Sequence, residues 1–141
     1  MIFMEQKLLN SVTESAIKAY PHECCGLLGG NGNVRGNLNV TRIKFCENVS
    51  ESSTQTSFQV DPRDRFSFIR ELQNTNELVV GHYHSHPDQL AEPSVRDLKM
   101  AFEPDLIWLI ISLSNTEISQ VKAHKINIDQ SDFQEIPIKL I

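Results

Sequence analysis

No apolar run in this chain approaches the ~20 residues that cross a bilayer as a helix. The amino-terminal stretch MIFMEQKLLNSV also lacks the basic flank and small-residue cleavage site of a secretory leader. A cytoplasmic protein is expected. Basic charge is in short supply: 13 Lys and Arg stand against 18 Asp and Glu, a formal net charge of -5. Such a surface is poorly matched to nucleic acid or anionic lipid, so the expected partners are proteins or small molecules. Cysteine is scarce too. The three present, Cys24, Cys25 and Cys46, are odd in number and two are adjacent, which excludes an ordinary disulfide framework. Repeats and low-complexity tracts are missing, and 141 residues suffice for one core but hardly two. One domain spanning residues 1–141 is expected.

What is present reads as alternating helices and strands. Residues 5–19, EQKLLNSVTESAIKA, set Leu8, Leu9, Val12, Ala16 and Ile17 on one side at helical spacing, with Pro21 just beyond. CGLLGG and VRGNLNVTRIKFCEN, separated by the turn signal NGN at 31–33, predict a hairpin. Residues 47–57 are polar and predict a loop, with Asn48 to Gln59 either an ordinary connection or a gate over a groove. FQVD at 58–61 predicts a strand, and PRDRFSFIRELQNTN a helix with proline in its first turn and Phe66, Ile69 and Leu72 turned inward. ELVVGHYHSH predicts a strand stopped by Pro87. VRDLKMAF after Ser94 predicts a helix, LIWLIISL a buried strand and EISQVKAHKI an alternating one. Intermingled strands and helices predict an α/β fold, a mixed sheet with helices packed on it.

The stretch GHYHSHPDQLAEPSVRD, residues 81–97, holds three histidines at alternate positions. Alternate side chains of a strand share a face, so His82, His84 and His86 point the same way. At about 3.3 Å per residue, neighbours in this set stand roughly 7 Å apart but the outer two about 13 Å apart. A straight strand therefore supplies two ligands to one ion, not three. Asp97, at a helix start that can fold back over the strand end, is the nearby candidate for another. Two imidazoles and a carboxylate leave a fourth position for water, the open arrangement of a catalytic zinc site. SVRD also fits a helix cap, with Ser94 at the N-cap and Asp97 reaching back to it. Far upstream, PHECCGLLGG places Glu23 just ahead of a buried strand; taken alone it reads as an exposed glutamate at a helix-to-strand junction, whereas burial there would lift its carboxyl pKa towards neutrality and suit it to act as a base.

The stretch from Pro21 to Gly30, PHECCGLLGG, followed by HSHP and then PSVRD ending at Asp97, resembles the JAMM (MPN-plus) zinc metalloproteases. Every position of their pattern is filled: a glutamate before a Cys-Gly-Leu-Leu strand, then His-x-His-x7-Ser-x2-Asp. FQVDP at 58–62, Ala91, Pro93 and LIWLIISL add to the likeness, which covers about residues 5–115. The resemblance implies one zinc ion per chain bound by His84, His86 and Asp97, with Glu23 as general base and acid. Ser94 would stabilise the oxyanion or position the water, and His82 would lie outside the ligand set. It implies a mixed curved sheet flanked by helices, related to the cytidine-deaminase architecture. The implied chemistry is hydrolysis after the carboxy-terminal Gly-Gly of a ubiquitin-like protein.

Short forms like this one resemble prokaryotic members that process ubiquitin-like sulfur carriers, and a sulfur-carrier peptidase is the expected function. An isopeptidase that removes ubiquitin-like modifiers from lysine is the alternative, and a metal-free MPN scaffold the alternative of another class. A metallo-β-lactamase-like site fails at Gln89, and a deaminase would need His-x-Glu and Pro-Cys-x-x-Cys. Adjacent Cys24 and Cys25 face opposite ways in a strand, so Cys25 is expected to be a small buried hydrophobe beside the site.

Overall fold

A computed structural model describes residues 1–127, 129 and 132–141. Among them one mixed sheet of eight strands runs in the order β7-β6-β5-β4-β2-β3-β1-β8. These are β1 (Ile2–Met4), β2 (Cys25–Gly32), β3 (Leu38–Cys46), β4 (Leu78–Pro87), β5 (Ile107–Ser114), β6 (Glu117–Ile126), β7 (Phe133–Ile136) and β8 (Ile138–Leu140). The sheet is curved and nearly closed. Helix α1 (Gln6–Ala19) covers one face; α2 (Pro62–Leu72) and the short α3 (Val95–Lys99) lie on the other. The α/β class expected from the sequence is the class observed.

The main core lies under α1, where Val12 and Ala16 pack with Leu28, Tyr83, Leu109 and Ile111. Gly26 is needed here, because a Cβ would collide with the Tyr83 ring and the Lys44 carbonyl. Strand β4 alternates as its sequence predicts. Tyr83 faces the α1 core, while His82 and His84 face the opposite side and contact Phe58 and Trp108.

Several local expectations change. Helix α2 buries Phe68 and Leu72, while Phe66 and Ile69 are exposed. Phe68 and Leu72 are four apart and form one stripe against Leu27 and Val79; Phe66 is two residues from Phe68 and so points nearly opposite. Helix α3 ends at Lys99 rather than Phe102, since the Met100 N–H is shared among the Arg96, Asp97 and Leu98 carbonyls and Pro104 disfavours helix at Glu103. The hairpin turn falls later than NGN, closed by Asn33 N–H to Asn37 O at 2.9 Å and Gly36 N–H to Asn33 O at 2.9 Å. Among the described residues FQVD forms no regular strand and contributes a single bridge, Val60 to Asn48. Strands β1, β7 and β8 carry no pattern long enough to predict; the sheet recruits them at its margins.

Candidate metal centre

Antiparallel pairing of β2 with β4 sets Cys25 opposite His84, which brings Glu23 to the end of the histidine strand. The other half of the site arrives by a chain reversal after Pro87, where Asp88 adopts a positive φ of 58. Aspartate tolerates that left-handed conformation better than most residues. The chain then returns to Ser94, the N-cap of α3.

Within this frame His84 Nε2 lies 2.9 Å from His86 Nε2, and both stand 3.4 Å from Asp97 Oδ2. One Glu23 oxygen and one ring nitrogen each of His84 and His86 lie within 4.8 Å of one another. All four residues are buried. His82 stands apart from this group, half-buried, its ring 4.2 Å from Trp108 edge-to-face. Ser94 meets the group through Asp97 in a full capping box: its Oγ accepts from Asp97 N–H at 3.0 Å, and its own N–H donates to Asp97 Oδ2 at 2.8 Å. Cap and carboxylate cluster are therefore one arrangement. Cys25 is buried and its thiol pKa is pushed up by burial, as suits a small apolar residue rather than a thiolate.

The donor set fits a zinc-type ion. Two ligands about 2.0–2.1 Å from a tetrahedral ion stand about 3.3–3.4 Å apart, close to the 2.9 and 3.4 Å separations of the His84, His86 and Asp97 atoms. His86 Nδ1 donates to Leu90 O at 2.8 Å, so in the neutral ring Nε2 is the free lone pair, directed at the cluster. The His84 ring stacks on Phe58 at 4.2 Å and 16°, which fixes its plane.

The charges respond to this crowding. Burial raises the Glu23 pKa to about 7, with His86 and Arg96 pulling it down and Asp97 pushing it up. Burial would also raise Asp97, but its interaction with His84 and His86, each 3.4 Å away, holds it far below the usual carboxylate range. His84 is lowered by burial against the pull of Asp97. In His86, burial lowers the pKa, but Asp97 and the Leu90 carbonyl outweigh it and the net shift is upward. Two parts of this surround carry no signal in the sequence: the Leu90 carbonyl, which any residue supplies, and His124 of β6, which is buried at 2 % exposure and donates from Nε2 to Ala91 O at 3.0 Å.

Residues 5–124 match the family model of prokaryotic homologs of the JAB domain. The chain belongs to this family. It is similar to a desampylase of Haloferax volcanii, 30% identical over 105 residues that cover 74% of this chain and 73% of the relative. It is also similar to a CysO-cysteine peptidase of Mycobacterium tuberculosis, 24% identical over 127 residues that cover 89% and 83%. Among solved structures, one from Desulfitobacterium hafniense superposes with a TM-score of 0.84 at 32% identity, over 100% of this chain and 93% of the other. A JAB1/MPN domain protein from Archaeoglobus fulgidus shares the JAB fold, with a TM-score of 0.62 at 19% identity over 100% and 99%. Among the described residues no helix is long and apolar enough to cross a membrane.

Proposed function

We propose that residues 1–141 form one zinc-dependent peptidase domain that cuts after the carboxy-terminal Gly-Gly of a ubiquitin-like sulfur-carrier protein. The observation that carries this reading is the convergence of His84 Nε2, His86 Nε2 and Asp97 Oδ2 to within 2.9–3.4 Å, with Glu23 beside them. The names of the relatives support a hydrolase that removes ubiquitin-like small-protein modifiers.

His84, His86 and Asp97 hold the ion in this scheme, and Glu23 stays outside the ligand set. When bound, zinc supplies Lewis acidity towards the scissile carbonyl and makes water more acidic. Glu23 takes the proton of the attacking water and returns it to the leaving amine; a carboxyl near pH 7 is suited to both tasks. Ser94, anchored to Asp97, offers its hydroxyl hydrogen towards the developing oxyanion. An apolar cleft of about 320 Å³ opens beside Asp97, lined by Phe58, Val60, Leu106, Trp108 and Met100. It receives the extended tail that precedes the scissile bond, and glycines there let the backbone approach the ion closely. A lysine-linked conjugate is the second reading, favoured by the likeness to a desampylase.

The test is the intact mass of a sulfur-carrier protein bearing residues after Gly-Gly, incubated with zinc-loaded protein and with Glu23→Ala in parallel. Loss of those residues with the wild type alone supports the proposal. No loss, with zinc bound one to one, transfers the reading to the lysine-linked conjugate.

A further inference from the structure

We infer that His124 is a positioning residue for the metal-binding triad, acting through the strap of chain between His86 and Ser94. This rests on His84, His86 and Asp97 being the cation ligands. Five consecutive strap residues are each fastened to neighbouring elements. Asp88 N–H donates to Leu113 O at 2.7 Å, and its carboxylate accepts from Tyr20 OH at 2.7 Å and Ser114 Oγ at 2.8 Å. Gln89 O accepts from Ser112 Oγ, Leu90 O from His86 Nδ1 at 2.8 Å, and Ala91 O from His124 Nε2 at 3.0 Å. Glu92 pairs with Lys122 Nζ at 2.6 Å.

These fastenings are unequal. The Glu92–Lys122 pair is on the surface, where ion pairs contribute little. The bond from His124 is buried at both ends, since Ala91 is fully covered and His124 nearly so. Because a carbonyl only accepts, the contact requires the proton on His124 Nε2. The adjacent carbonyl, Leu90 O, is the one that sets the His86 tautomer. His124 thus holds one peptide plane and, through it, the next. Downstream, the same strap leads directly into Pro93, the Ser94 cap and Asp97. One donor on β6 therefore governs the orientation of one ligand and the approach of another, without touching either.

The decisive comparison is between two amides at this position. In His124→Gln the side-chain nitrogen falls where Nε2 stood and can still reach Ala91 O; in His124→Asn it stops short. Zinc affinity, measured with zinc alone by competition against a chromophoric chelator, is expected to fall about 10- to 100-fold in His124→Asn and to recover most of that loss in His124→Gln. The His86 Nδ1–H signal in an imidazole proton–nitrogen spectrum of the metal-free protein should broaden or shift in the Asn variant and persist in the Gln variant. Circular dichroism selects a temperature at which every protein is folded. Should His124→Asn not fold, His124→Phe, which keeps ring volume but has no N–H, takes its place. Zinc affinity within twofold of wild type in the donor-less variant, or equal losses in both variants, overturns the positioning role. Failure of the wild type itself to bind zinc overturns the metal reading beneath it.

Discussion

The backbone N–H of Cys24 donates to Ser85 Oγ at 2.8 Å, and Ser85 returns its own N–H to Cys24 O at 3.0 Å. Residues 61 apart in sequence are thereby locked together inside the sheet, and the lock sits between His84 and His86 on one side and next to Glu23 on the other. Ser85→Ala leaves the Cys24 N–H buried without a partner, at a cost of about 1–3 kcal/mol. Urea denaturation should show that loss, and peptidase activity should fall with it because one of the bonds that hold the Glu23 segment against the histidine strand is gone. Unchanged stability would mean that this N–H finds another acceptor.

Glu23→Gln preserves shape and removes the base. It should bind zinc as the wild type does and lose turnover by about 10²–10⁴-fold, measured by mass spectrometry on a Gly-Gly-extended substrate. Turnover within tenfold of wild type removes Glu23 from the scheme.

The same substitution predicts a dependence of stability on pH. Burial raises the Glu23 pKa from 4.5 to about 7, so the folded state binds this proton more tightly than the unfolded state does. Stability from this group is therefore greatest below pH ~4.5 and declines as pH rises towards ~7. Glutamine does not titrate. Metal-free Glu23→Gln should thus be more stable than metal-free wild type at pH 8, by on the order of 1–3 kcal/mol, and the gap should close as pH falls towards 4.5. A gap that stays constant across this range would refute the linkage.

Asp97 serves helix α3 as well as the candidate metal. Asp97→Asn keeps an oxygen to accept from Ser94 N–H, so the cap survives, but it loses the charge that His84 and His86 stabilise; the metal-free melting temperature should therefore fall at neutral pH, and zinc affinity should drop further still. Ser94→Ala should cost the cap about 1 kcal/mol, with zinc binding reduced less. Calorimetry with and without zinc separates the two.

Zinc should raise the melting temperature of the wild type, by the equivalent of about 2.7 kcal/mol at one hundred times its dissociation constant. His84→Ala should abolish the shift and a strong chelator should reverse it. An equal shift in His84→Ala would place the stabilising zinc elsewhere.

Much of the frame is legible in the amino-acid sequence. Helix α1, the β2–β3 hairpin, the histidine strand and the separate strands β5 and β6 follow from local periodicity and from breakers such as Pro87, and the structure contains each. Helix α2 shows the limit of that signal. Its sequence offers Phe66, Phe68, Ile69 and Leu72, and only the position of Leu27 and Val79 beneath it selects Phe68 and Leu72 for burial. The short strands β1, β7 and β8 are strands because β3, β6 and β1 offer them a partner to pair with, not because three or four residues encode them.

The same division runs through the site. By itself the sequence determined that His84 and His86 share a strand face and that Ser94 can cap the turn holding Asp97, because both depend on spacing within one element. The spacing of the three histidines alone allowed two of them to serve one ion. Only the tertiary structure decided that Glu23 stands within 4.8 Å of His84 and His86, that the Leu90 carbonyl sets one ring and Phe58 stacks on the other, and that His124 reaches the strap from another strand. Those contacts join residues brought together by strand pairing and chain reversal, and backbone carbonyls carry no side-chain identity for a sequence to display.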